Sequence, residues 1–145
     1  MKPVQYIFIL IITFSISCSN YNFVDDKKFI GEWELKGRSS FAGMQIKITN
    51  EKGNLKGRII KLSDSKYVKM FAEEGDIWIK KIKRKSNFAF TVTESKIAAE
   101  LFAMYGNSTS NEFNAEFIND NKIGLSKGNS DPQKSSVYYK RIMSE

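Results

Sequence analysis

From Phe29 onward, apolar and polar residues alternate with a period of two, the spacing of a half-buried strand rather than a helix. In "IGEWELKG", Gly31, Trp33 and Leu35 share one face, and Glu32, Glu34 and Lys36 share the other. "MQIKIT" repeats the pattern with Met44, Ile46 and Ile48 against Gln45, Lys47 and Thr49. "NEKGN" then reads as a hairpin turn, and "NLKGRIIKL" as the return strand. There the apolar neighbours Ile60 and Leu62 break the alternation, the mark of a bulge or of a strand buried on both sides. "KYVKMF", "IWIKKIKRK", "FAFTV", "EFNAEFI", "KIGLS" and "VYYKRIM" continue the series, with turn residues at "AEEGD", "KSN", "NDN" and "KGNSDPQKS". Such short strands, roughly ten residues apart, predict an all-β antiparallel barrel or sandwich. One segment reads two ways: "SKIAAELFAMYG" is rich in helix formers and ends on Gly106, yet Ile97, Ala99, Leu101, Ala103 and Tyr105 also alternate. The surrounding sheet favours a strand over 95–105, and the composition favours a helix.

The parity of these strands also predicts an interior. Trp33, Met44, Ile46, Ile48, Leu55, Ile59, Phe88, Phe90, Phe113, Phe117, Ile123, Leu125, Val137 and Tyr139 are expected to face inward. At 145 residues, the chain has room for one such domain.

The first residues have a different pattern. Lys2 is the only charge before Asp25, and "YIFILIITF" (6–14) is an apolar run too short for a membrane span, which needs about 20 residues. A positive residue, a short apolar core and small residues form the layout of a secretory signal peptide. The chain's one cysteine, Cys18, follows directly behind Ser15, Ile16 and Ser17. These residues resemble the lipobox of bacterial lipoproteins, although Ser15 departs from the aliphatic residue preferred there. The resemblance implies cleavage before Cys18 and lipidation of its thiol; a small buried cysteine is the plainer alternative. Each buried acyl methylene contributes about 0.8 kcal/mol, so two or more chains hold a protein stably on a bilayer. The expected organisation is a lipoprotein signal over 1–17, a lipidated cysteine and tether over 18–28, and a β domain over 29–143. The expected location is a bacterial cell membrane, the outer membrane in the first instance.

Two spots in the β domain carry a further resemblance. Gly31-Glu32-Trp33 matches the Gly-X-Trp signature of the first lipocalin strand, and "YYKRI" sets Arg141 near the close of the last. The domain therefore resembles the small bacterial lipocalin-like domains of the calycin type, although their Thr-Asp-Tyr-type turn is not present. The resemblance implies an antiparallel up-and-down β-barrel of roughly eight to ten strands. It also implies that Arg141 packs over Trp33 and closes one end, and that the interior holds a small apolar or amphipathic ligand. Residues expected to line such a ligand are Met44, Ile46, Ile59, Phe88, Phe90, Phe113, Phe117 and Tyr139. The chain carries 11 Phe, 2 Trp and 6 Tyr, enough bulk either to hold a ligand or to fill a small barrel outright.

Charge adds one more candidate. The net charge of +7 falls by one if Lys2 leaves with the signal, and still favours anionic surfaces. "IKKIKRK" is the densest basic run, with Lys80, Lys81, Lys83, Arg84 and Lys85. In an exported protein it points to an anionic glycolipid or phospholipid surface, or simply to a solvated hairpin, and not to nucleic acid.

The chemistry available for catalysis is thin. The chain has no histidine, which removes histidine-based triads and imidazole metal sites. Glu73, Glu74 and Asp76 lie in a polar turn without the spacing of a calcium loop. The glycines are too scattered to cradle a phosphate. The sequence thus predicts a monomeric, non-enzymatic protein without metal or cofactor. It would act as a ligand-binding module or, with a filled core, as a scaffold working through its basic outer face on an envelope partner.

Overall fold

A computed structural model describes residues 23–143 of the chain. They form a closed barrel of eight antiparallel strands in sequence order, each paired to its neighbours and β8 returning to β1. The strands are β1 (Gly31–Lys36), β2 (Gln45–Glu51), β3 (Asn54–Lys61), β4 (Ile77–Arg84), β5 (Ala89–Ser95), β6 (Ser110–Asn119), β7 (Lys122–Ser126) and β8 (Tyr138–Arg141). Closure follows from two-sided pairing of the first strand: Trp33 lies opposite Ile46 on β2 and opposite Arg141 on β8. Among the described residues, no open sheet edge is left to template aggregation.

The interior is where the alternation placed it. Trp33, Met44, Ile46, Ile48, Ile59, Phe90, Phe113, Ile123, Leu125 and Tyr139 are buried, and Leu55, Phe117 and Val137 are partly buried against them. Phe88 corrects the parity reading. It lies in the β4–β5 turn before β5 begins, and 51% of it is exposed. Phe88 shares the parity of Phe90 but precedes the first residue of β5, where pleat no longer dictates direction. Register shifts at Gln45/Ile46 and Gly57/Arg58 accompany the broken alternation of β3.

Two segments read as strands are helices. "KYVKMF" is α1 (Lys66–Phe71), and the ambiguous segment contains α2 (Ala99–Met104). In α2 the helix-forming composition outweighed the alternation; "KYVKMF" is helical because β3 pairs directly with β4, as β5 does with β6, leaving both segments outside the ladders. In an up-and-down barrel, the β1–β2, β3–β4, β5–β6 and β7–β8 connections gather at one end. Both helices therefore stand at that end, the mouth. The β2–β3, β4–β5 and β6–β7 turns lie at the opposite end, where the chain enters through a 3-10 turn, Asp26–Phe29.

Candidate functional site: the sealed end and the mouth

The entry end is plugged from within. Phe29 is buried and meets Phe90 and Phe117 edge-on, with ring centroids 4.8 and 4.7 Å apart. The Phe29 carbonyl accepts the indole N–H of Trp33 at 2.8 Å, so the only polar atom of that ring is satisfied. Over the outer face of this plug lies Arg141, its guanidinium carbon 4.1 Å from the Trp33 ring centroid. Its Nε donates to Asp120 O at 3.1 Å, Nη1 to Ile30 O at 3.0 Å, and Nη2 to Lys28 O at 2.5 Å. Burial pulls this guanidinium below its usual pKa, with the Asp120 carboxylate opposing, and it remains charged at neutral pH. A single cation thus ties the entry segment, the β6–β7 turn and β8 together over the tryptophan. The cation–π contact alone contributes about 0.5–2 kcal/mol.

Arg84 belongs to the same end, which alters the reading of the basic run. It donates to the carbonyls of Val24, Ser86 and Asn87, pairs with Asp26, and stacks over Phe90 at 4.7 Å. These bonds hold the entry segment to the β4–β5 turn, so Arg84 acts as a clamp and not as a free surface charge. Lys80 reaches the Thr109 hydroxyl at 3.3 Å and Lys85 reaches Asn114 at 2.9 Å. Lys81, Lys83 and Lys85, with Thr91, Thr93 and Glu112, border a shallow hollow of about 560 Å³ on the outer wall.

The mouth is built differently. A polar chain descends from it into the core: Arg38 Nη1 donates to Glu94 Oε2 at 2.6 Å, Tyr139 donates its hydroxyl to Glu94 Oε1, and Trp78 Nε1 donates to Tyr139 Oη at 2.8 Å. Glu94 is 1% exposed, so this carboxylate lies inside the barrel and depends on these partners. Burial, then the charge of Glu94, pushes the Tyr139 phenol well above its ordinary pKa and keeps it a donor. Arg38 stacks over Phe113 at 4.5 Å and stands 5.8 Å from Phe41. Its Nη2 is buried and has no partner in the protein, the one such side-chain atom among the described residues. An unsatisfied buried donor costs about 1–3 kcal/mol, and more when charged.

Above this chain lie two adjoining hollows. A small one of about 150 Å³ is bordered by Arg38, Phe41, Tyr67, Trp78, Lys96 and Phe102, among others. A larger cleft of about 560 Å³ runs between α1 and α2, with Ile59, Met70, Ala72, Trp78, Ile97 and Leu101 among its walls. The two share Trp78, Ser95, Lys96 and Ile97. Around the rim, Tyr67, Met70, Phe71, Leu101, Met104 and Tyr105 expose large apolar surface, Met104 to 80%. Where such side chains form a contiguous patch, they mark an interaction surface or a ligand groove.

Of the residues expected to line a ligand, only Ile59 borders these hollows or the third on the outer wall. Met44, Ile46, Phe90, Phe113 and Tyr139 are packed into the core, Phe117 is partly buried against it, and Phe88 lies outside. Bulky side chains fill the lower barrel, as small barrels often are. Sequence reasoning missed Arg38, Trp78, Glu94 and Lys96. Glu94 left a signal, because it shares the inward parity of Phe90 and Val92 on β5. Arg38 left none, since its partner is 56 residues away.

Cys18 and the signal lie outside the described residues. Among the described residues, no helix is long and apolar enough to cross a membrane, and no cluster of acidic or cysteine side chains could hold a metal ion. The fold and its two unlike ends define a closed, eight-stranded up-and-down β-barrel with one plugged end and one helix-walled mouth. No family model, no curated protein and no solved structure matches the chain.

Proposed function

We propose that the protein is a lipid-anchored, lipocalin-like barrel of the bacterial envelope that binds a small apolar or amphipathic molecule at its mouth. The observation that carries this reading is the contrast between the two ends. One is plugged by Phe29, Trp33, Phe90 and Phe117 and capped by Arg141. The other opens a cleft between two short helices whose apolar side chains face solvent. The Trp33–Arg141 stack and the Gly-X-Trp signature support the lipocalin likeness, and the filled lower barrel moves the ligand from the lumen to the rim. Because the chain enters at the plugged end, an anchor at Cys18 leaves the mouth facing away from the anchoring membrane. The function is binding without catalysis. Native mass spectrometry of the full chain, extracted from its own host in mild detergent, tests it. A co-purifying small molecule, lost when Leu101 and Met70 are replaced by Asp, is expected. A bare protein whose mouth also fails to bind alkyl amphiphiles would sink the reading.

A second reading rests on the outer wall. Lys81, Lys83 and Lys85 stand together beside a shallow hollow on β4 and β5. They suit an anionic headgroup at a membrane surface. Charge reversal there would abolish vesicle binding without touching the mouth.

A further inference from the structure

The buried chain beneath the mouth narrows what the mouth accepts. We infer that the ligand is an amphiphile with a single anionic head, a carboxylate or a phosphomonoester, whose head pairs with Arg38 while its apolar body lies in the cleft between α1 and α2. This rests on the mouth being the binding site and adds the charge of the ligand.

Three features point the same way. Arg38 borders the small hollow, and one of its two terminal nitrogens is already committed to Glu94 while the other, Nη2, is buried without an acceptor. Arginine's planar fork is built to take a second anionic oxygen beside the first. Lys96, held 5.1 Å from the Phe102 ring centroid, borders both hollows and puts a second positive charge at their junction. The small hollow is further walled by Phe41, Tyr67, Trp78 and Phe102, rings that exclude water and strengthen a charge-assisted bond. From there, the cleft continues past Ile97 to Met70 and Leu101, which suits an alkyl chain.

The geometry also specifies a movement. Nη2 is covered, with Phe113 at 4.5 Å and Phe41 at 5.8 Å from the guanidinium carbon, so a neighbouring side chain has to yield for the head to reach it. Glu94 then remains on Nη1, so the head adds to the buried pair and does not displace it.

The alternatives on the molecule are weaker. The exposed rim is not strongly basic, since Glu73, Asp76 and Glu100 alternate with Lys69 and Lys96 around the cleft. That pattern suits a single anchored head better than a broad anionic sheet.

The test compares three probes of one chain length, dodecanoate, dodecyl phosphate and dodecanol, by calorimetric titration of the full chain below their micellar concentrations. The inference expects at least one of the two anions to bind more than about tenfold tighter than the alcohol; the tighter of the two identifies the head. Arg38→Gln alone leaves Glu94 unpaired and can unfold the barrel, so the double variant Arg38→Gln/Glu94→Gln is the informative one. It should lose the preference for the anions over dodecanol. Equal binding of all three probes would overturn the anionic head while leaving the mouth as the site. Binding of none would overturn both. An anion preference that survives in the double variant, with circular dichroism unchanged, would also overturn the role of Arg38.

Discussion

A side-chain carbon on Gly31 would lie 2.7 Å from Nη1 of Arg141. The glycine of the Gly-X-Trp signature is therefore explained by what passes over it. Its φ of +135° adds a second reason, since residues with a side chain rarely adopt that conformation. Gly31→Ala should lift the guanidinium off Trp33 and release the carbonyls of Lys28 and Ile30. We expect a loss of about 1–3 kcal/mol in denaturant unfolding, in the range of a broken buried network. Arg141→Lys should cost nearly as much as Arg141→Ala, because an ammonium can neither stack nor reach three carbonyls in a plane. Equal stability of Arg141→Lys and the parent would show the stack to be ornamental.

Phe88 and Phe90 differ by two positions and should differ sharply in consequence. Phe90 is 1% exposed within the aromatic plug. Phe90→Ala should cost about 3–5 kcal/mol, close to the whole stability of a small domain. Phe88→Ala, in the turn, should change stability by only about 0.5 kcal/mol or less. Paired urea titrations decide it, and similar losses for both would place Phe88 in the core.

The buried Tyr139 makes a prediction about alkali. Its phenol is held above the ordinary value in the folded state, so the folded protein keeps that proton after the unfolded chain has lost it. The associated stability is complete below about pH 10, where both states are protonated, and drains away as pH rises further. In a near-ultraviolet titration, Tyr139 should ionise only as the barrel unfolds. Tyr139→Phe should remove that late step and cost about 1–3 kcal/mol at neutral pH, because Glu94 and Trp78 both lose a partner.

Membrane attachment is tested at the residue the sequence singles out. Cys18→Ala should abolish labelling by a palmitate analogue and move the protein from the membrane fraction to the soluble one. Persistence of both label and membrane association would end the lipoprotein reading.

The barrel class and most of its interior were legible because alternation is a local signal that closure simply amplifies. Trp33, Ile46, Phe90, Phe113 and Leu125 are buried as their parity requires. The helices were less legible. In "KYVKMF", six residues are too few for periodicity to separate a strand from a turn and a half of helix, and only pairing across the sheet decides. The mouth was hardest to read. Arg38 and Glu94 each look like an ordinary charge in a window of ten residues, and their meaning arises only when the β1–β2 connection meets β5 in the closed barrel. The clamp by Arg84 is hidden for a similar reason, since a basic run gives no sign that one member has turned to the entry segment.

The register that sets Trp33 opposite Arg141 also fixes an order of events. The first strand has no partner on one side until the last has emerged, and the lid over the plug is carried by that last strand. Long-range pairing of this sort is slow to form. A chain emerging from the ribosome thus cannot latch the plug until β8 delivers Arg141. The plug at the entry end is therefore closed last, by the far end of the chain.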